Sequence, residues 1–258
     1  MFVTSTTKVT LSSKILENSS ERSRTPSEST DKVHIFYLSI DLLMESKIVA
    51  SASRGRVVIA TKDYLPGDLI LEEKPILLVP KEYVNRYRAI SGSMQPGFVP
   101  FIAYYWWFVK RVSFADKERI LTMFVSTNTD QNDSIRLMVN GLHLTCLEDP
   151  SSSGRLSPEQ VEIFVKLFSI INLNGVGLEG DKILYFQMSH FAHSCGGNSH
   201  YEYAFLQTTI RLRAVKAIRA GEEITYAYLP KRDLQPIVVR REAYLQTRGF
   251  TCHCPRCD

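Results

Sequence analysis

Gly221-Glu222-Glu223-Ile224-Thr225-Tyr226-Ala227-Tyr228 is the stretch on which the reading of this chain turns. A glycine and two acids followed by branched and aromatic residues read as a tight turn feeding a strand. If that strand stays regular, Tyr226 and Tyr228 share one face. The same arrangement occurs upstream. Ala60-Thr61-Lys62-Asp63-Tyr64-Leu65-Pro66-Gly67-Asp68-Leu69-Ile70 parallels Ala214-Val215-Lys216-Ala217-Ile218-Arg219-Ala220-Gly221-Glu222-Glu223-Ile224. The matched Ala, Lys, Gly, acid and Ile argue for a shared strand–turn–strand geometry rather than two unrelated hairpins.

Downstream, Cys252, Cys254 and Cys257 form C-x-C-x-x-C. Thiols this close in sequence are awkward disulfide partners and natural zinc ligands. A fourth ligand is needed. Cys195, in Phe191-Ala192-His193-Ser194-Cys195-Gly196-Gly197-Asn198, competes for that place with Cys146 and His253 on spacing alone. Four thiolates around zinc make a closed, structural site. No signal peptide opens the chain and no apolar run is long enough to span a bilayer. The expectation is therefore a reducing compartment, cytoplasmic and/or nuclear, which favours metal over disulfides.

At 258 residues, 44% hydrophobic and 22% charged, the composition is that of an ordinary globular chain. A net charge of +4 is too small to argue for nucleic acid. Lys231, Arg232, Arg240, Arg241, Arg248 and Arg256 read as a solvated basic surface around the tail. Residues 1–32 are dominated by Ser and Thr and read as a disordered tail. Glu17, Glu21 and Glu28 count against a mitochondrial transit peptide. His34 to Met44 reads as one short packed element, and Val57–Ala60 and Leu69–Leu71 as strands. Glu82 to Met123 reads as helical, with Tyr104–Phe108 as core rather than a stacking platform, since no basic residues interleave with it. Ser157-Pro158-Glu159-Gln160 opens a helix with a capping box. Val161, Phe164, Val165, Phe168 and Ile171 form its inner face, and Asn174-Gly175 ends it. Val238 to Thr247 reads as another helix, stopped by Gly249.

Five motifs, in order, resemble those of SET-domain protein-lysine methyltransferases. They are Arg54-Gly55-Arg56-Val57 with Ala60; Pro66-Gly67-Asp68 with Glu73-Lys74-Pro75; His193-Ser194-Cys195 with Asn198; Gly221 to Tyr228; and Phe250 with the final cysteines. Leu184-Tyr185, Ser189 and His193-Ser194-Cys195 are similar to the SET-and-MYND subgroup. Cys146 and His143 are too few for a MYND finger between them. The resemblance implies an α+β SET fold of several small sheets, with knot-like C-terminal threading. It also implies a SET domain over 33–248, a variable helical insertion at about 81–157, and a post-SET zinc segment at 249–258.

It implies chemistry as well: methyl transfer from S-adenosyl-L-methionine to a lysine amine of a protein or peptide, with no membrane and no direct nucleic-acid role. Tyr228 is then the catalytic tyrosine. Gly55 and Arg56 then hold the cofactor by backbone contact, His193 meets it through its backbone, and Asn174, Ser189 and Phe250 complete its site. Tyr203, Phe205 and Tyr226 line the lysine channel. Cys195, Cys252, Cys254 and Cys257 hold zinc, and Cys146 is spare. Three positions depart from the family pattern. Ala192 replaces an asparagine whose amide helps hold the cofactor. Val57 replaces a glycine, where a β-branched residue would resist positive φ. Gly197 replaces a proline, which is expected to loosen its turn. These departures motivate an alternative, a SET-like scaffold that binds partners with weak or no turnover.

Overall fold

A computed structural model describes residues 46–51, 55–90, 92, 97–125, 129–178, 181–204, 208–228 and 252–257. The Ser/Thr-rich 1–32, His34–Met44, Phe205, the helix read at Val238–Thr247, Phe250 and the basic residues from Lys231 to Arg248 lie outside them.

The chain enters as an antiparallel hairpin, β1 (Ser46–Ser51) and β2 (Gly55–Ala60), in which Val57 pairs with Val49. Val57 is 4% exposed inside a regular strand, where a branched side chain suits the pleat. The expected conflict with positive φ does not arise, because the position is strand rather than loop. β3 (Leu69–Glu73) follows, then α1 (Lys81–Ile90), α2 (Val99–Arg111), α3 (Phe114–Leu121) and α4 (Thr129–Asn140).

α5 (Pro158–Asn174) starts as its sequence dictates. The Ser157 hydroxyl accepts from Gln160 N while the Gln160 side chain accepts from Ser157 N, a complete capping box with Pro158 in the first turn. It ends at Gly175, where the backbone turns extended while the N–H donates to Ile171 O; a Cβ there would lie 2.4 Å from that oxygen. β4 (Val176–Leu178) and β5 (Asp181–Ile183) form a second hairpin, followed by a short 3-10 helix at Met188–His190.

Apolar residues from these helices make one core. Tyr104, Tyr105, Trp106 and Phe108 are buried there, packed with Phe164, Leu167 and Ile170 of α5. The aromatic block is core, as its lack of basic neighbours suggested. A second core lies between the sheets, around Val58, Tyr64, Leu212, Ile218, Phe191 and Tyr226.

The main sheet is completed by β6 (Ala192–His193), β7 (Ser199–Tyr203), β8 (Ile210–Ala214) and β9 (Thr225–Tyr226), in the order β3-β8-β7-β9-β6. β9 runs parallel to both β6 and β7, slotted between two strands that precede it in sequence. Asn198 locks it there: its Nδ2 donates to Glu223 O at 2.8 Å and its Oδ1 accepts from Thr225 N at 2.9 Å. Ser199 Oγ adds a bond to Thr225 O at 2.8 Å. Gly197 lies so close that a Cβ would sit 2.8 Å from both Thr225 O and Tyr226 Cα. The glycine therefore packs closely against β9.

The two repeated segments pair with each other. Tyr64 and Ile218 exchange both backbone bonds, at 2.8 and 2.9 Å. Ala60 N donates to Glu222 O, and the equivalent Ala214 N donates to Asp68 O. Gly221 N donates to Ala60 O, and Gly67 N to Ala214 O. Each turn closes with its own bond, Asp68 N to Leu65 O and Glu222 N to Arg219 O. Each carries a positive-φ glycine, Gly67 at 97° and Gly221 at 89°, the geometry of a type II turn. The repeat is a local two-fold centred on the Tyr64–Ile218 pair.

Candidate active site

Tyr228 lies just beyond β9, half-buried. Its hydroxyl donates to Phe191 O at 2.7 Å, and its backbone N–H donates to His193 Nδ1 at 3.0 Å. The Tyr226 and Tyr228 ring centroids are 4.9 Å apart, so the two tyrosines meet as the alternation predicts. Tyr201 joins them edge-on, 5.8 Å from Tyr226 and 6.0 Å from Tyr203. Tyr203 OH donates to Gly177 O at 3.3 Å, tying this aromatic wall to the β4–β5 hairpin. Nearby, Tyr185 OH donates to Thr208 O at 2.5 Å. Burial raises the phenol pKa of both Tyr185 and Tyr203, so they act as neutral walls. Tyr201 was missed in the sequence. The signal was there, since Tyr201 and Tyr203 alternate along one strand and must share a face.

The residues assigned to the cofactor gather from separate elements. Arg56 donates from Nη2 to Thr122 O at 3.1 Å, and Asn174 donates from Nδ2 to Phe124 O at 2.8 Å and to Ile170 O at 2.9 Å. The segment after α3 thus ties together two residues far apart in sequence. Both Asn174 donors are taken by carbonyls, which leaves its Oδ1 as the group it can offer. Ser189 Oγ donates to Phe186 O at 2.7 Å.

Glu73, buried, fixes this segment from behind. Its carboxylate oxygens accept from Gln187 N at 2.8 Å and Met188 N at 2.9 Å, holding the start of the 3-10 helix. Burial raises its pKa against the pull of those donors and of Arg119. The sequence offered Glu73 only as part of a strand motif; its partners are more than a hundred residues away.

The cysteines converge. The sulfurs of Cys195, Cys252, Cys254 and Cys257 all lie within 4.8 Å of one another. Cys195 Sγ is 3.9 Å from Cys252 Sγ and 3.5 Å from Cys257 Sγ, and Cys254 Sγ is 3.6 Å from Cys257 Sγ. Tetrahedral zinc with bonds of about 2.3 Å separates its sulfurs by about 3.8 Å, so the cluster fits that ion. Cys146 is buried in the helical core, and neither it nor His253 belongs to the cluster.

Burial pushes the Cys195 thiol up, and Cys252 up to about 11. For Cys254, burial is outweighed by backbone N–H donors from Arg256 and Cys195 and by its sulfur neighbours, bringing it down to about 6. One thiolate among crowded thiols is a donor set suited to a cation.

Among known proteins, the SET domain model matches residues 55–229, more than half of this chain. The histone-lysine N-methyltransferase SET5 of Saccharomyces cerevisiae is 29% identical over 115 residues, 45% of this chain and 20% of that protein. The mouse histone-lysine N-methyltransferase SMYD3 is 30% identical over 159 residues, 58% of this chain and 34% of that protein. The human protein-lysine N-methyltransferase SMYD4 is 24% identical over 126 residues, 48% of this chain and 13% of that protein. This chain thus spans about a third or less of the length of these relatives.

Proposed function

This chain belongs to the SET-domain family, and from that premise we propose that it is a protein-lysine N-methyltransferase dependent on S-adenosyl-L-methionine. One observation carries the proposal: Tyr228 closes a wall of tyrosines while its hydroxyl proton is committed to Phe191 O. A phenolic oxygen that donates its proton can still act as an acceptor toward an amine N–H or in weak C–H···O contacts.

S-adenosyl-L-methionine, when bound, supplies an electrophilic methyl group for direct displacement by a neutral amine. Gly55, Arg56, Asn174, Ser189, His193 and Phe250 would hold it. Gly55 and Arg56 would do so through their backbone, with the Arg56 side chain tied to Thr122 O. Tyr201, Tyr203 and Tyr226 exclude water around the amine and disfavour its ammonium form. Alignment of amine and methyl is the main contribution asked of the protein. Cys195, Cys252, Cys254 and Cys257 hold a structural zinc that clamps the tail to the His193 turn. The substrate is a lysine-bearing protein or peptide in the cytoplasm or nucleus. Among the described residues, no helix is long and apolar enough to cross a membrane.

The test is incubation with labelled S-adenosyl-L-methionine and a broad protein panel. Transfer that Tyr228→Phe lacks supports the reading; no transfer under any condition, with the variant indistinguishable, sinks it. The second reading, a weak or inactive scaffold, rests on Ala192, which pairs with Thr225 and has no side-chain amide to offer. One neutral hydrogen bond is worth about 0.5–1.5 kcal/mol, so this change alone weakens the cofactor's hold without abolishing it. Calorimetry separates the two: micromolar binding of S-adenosyl-L-methionine argues against a dead scaffold.

A further inference from the structure

His193 has a buried side chain placed between the two halves of the site. Its Nδ1 lies 3.0 Å from Tyr228 N. A backbone N–H can only donate, so Nδ1 is the bare, accepting nitrogen. The neutral ring then carries its proton on Nε2, which lies 3.2 Å from Cys195 Sγ. The bond is therefore N–H···S, from the imidazole to the sulfur. The Tyr228 ring rests 5.1 Å from the imidazole, and Ala227 packs against the cysteine cluster. The main chain reaches the same place: Ser194 N donates to Tyr226 O at 3.0 Å.

We propose that the His193 imidazole is a positioning residue that couples metal binding at the four cysteines to the placement of Tyr228. This rests on the metal reading above and goes beyond it, since His193 was assigned to the cofactor only through its backbone. An N–H donor to a ligand sulfur orients that ligand and stabilises its thiolate. With the sulfur fixed by the metal, the ring cannot turn, and its Nδ1 lone pair stays aimed at the Tyr228 amide. Without the metal, Cys195 is free to rotate, the ring loses its anchor at Nε2, and Tyr228 loosens. The tail thus governs the tyrosine without touching it, through one side chain with a defined tautomer.

The test separates the two contacts in the full chain. His193→Asn offers an acceptor near the place of Nδ1, and His193→Gln offers a donor near the place of Nε2. His193→Ala removes both. Metal affinity is read by competition with a chromogenic chelator. The four-sulfur site is checked by the thiolate-to-metal absorption of the cobalt-loaded protein. Tyr228 is read by hydrogen exchange of its own amide.

We expect metal affinity to fall about 10- to 100-fold in the Asn and Ala variants and to stay near wild type in Gln. Tyr228 amide exchange should rise about tenfold in Gln and Ala, and in the wild-type chain after metal is stripped, but not in metal-loaded Asn. Metal affinity within about twofold of wild type in all three variants overturns the proposal. So does unchanged Tyr228 exchange on stripping the wild type, a measurement that needs no variant and survives misfolding of His193→Ala. A wild-type chain that takes up no metal overturns the metal centre itself, and this proposal with it. Four-sulfur cobalt absorption with indifferent variants overturns only the coupling.

Discussion

The segments Ala60–Ile70 and Ala214–Ile224 share a turn type, a glycine at positive φ and a reciprocal set of backbone bonds. Even the side chains agree: Asp68 Oδ2 accepts from Leu65 N at 2.7 Å, and Glu222 Oε2 accepts from Arg219 N at 3.0 Å. Their continuations differ. After the first turn the chain enters β3, at the edge of the sheet, and reaches Glu73. After the second it enters β9, between β7 and β6, and reaches Tyr226 and Tyr228. Equal local geometry with unequal consequences means that the function of a turn here depends on where its exit strand is buried.

The strongest way to sharpen that contrast is Tyr228→Phe. It should cut methyl transfer by roughly 100-fold, the scale expected when one preorganised polar group is removed. The melting curve should move little, because the bond to Phe191 O is one neutral hydrogen bond, worth about 0.5–1.5 kcal/mol. Gly197→Ala comes next. Its Cβ would meet the β9 backbone at 2.8 Å, so overpacking should cost about 1–3 kcal/mol in urea unfolding and lower transfer as β9 shifts.

Gly67→Ala and Gly221→Ala test the comparison directly. A Cβ at either site meets nothing within 4 Å, so only the positive φ is penalised. Both should lose about 1–2 kcal/mol, but only Gly221→Ala should also lower methyl transfer markedly. Equal losses of activity would break the contrast. Smallest are Asp68→Ala and Glu222→Ala, which remove equivalent exposed acceptors. Each should change stability by about 0.5 kcal/mol or less, measured in the same urea series.

Much of this was legible because it is short-range. The capping box at Ser157 and Gln160, the aromatic core of α2 and the ligand spacing of the tail each involve neighbours in sequence. The matched residues of the two turns gave the turn geometry but not the partner. Val57 illustrates the limit. Val57–Ala60 reads as a strand, yet the family pattern sets a lost glycine at Val57; pairing with Val49 of β1, for which Ser46–Ser51 gave no sequence signal of its own, decides for the strand. Gly197 is another case, since its neighbour is the backbone of β9, twenty-eight residues later.

The sequence by itself determined the sign of φ at Gly67 and Gly221, the start of α5, and the three-cysteine tail. Each follows from sterics or hydrogen bonding within a few residues. The tertiary structure decided which fourth sulfur completes the cluster, that the repeats pair about Tyr64 and Ile218, and that one imidazole lies between Tyr228 and Cys195. Those juxtapositions come from closing loops of tens to more than a hundred residues around a strand inserted late. Spacing along the chain does not encode which distant groups that closure brings into contact.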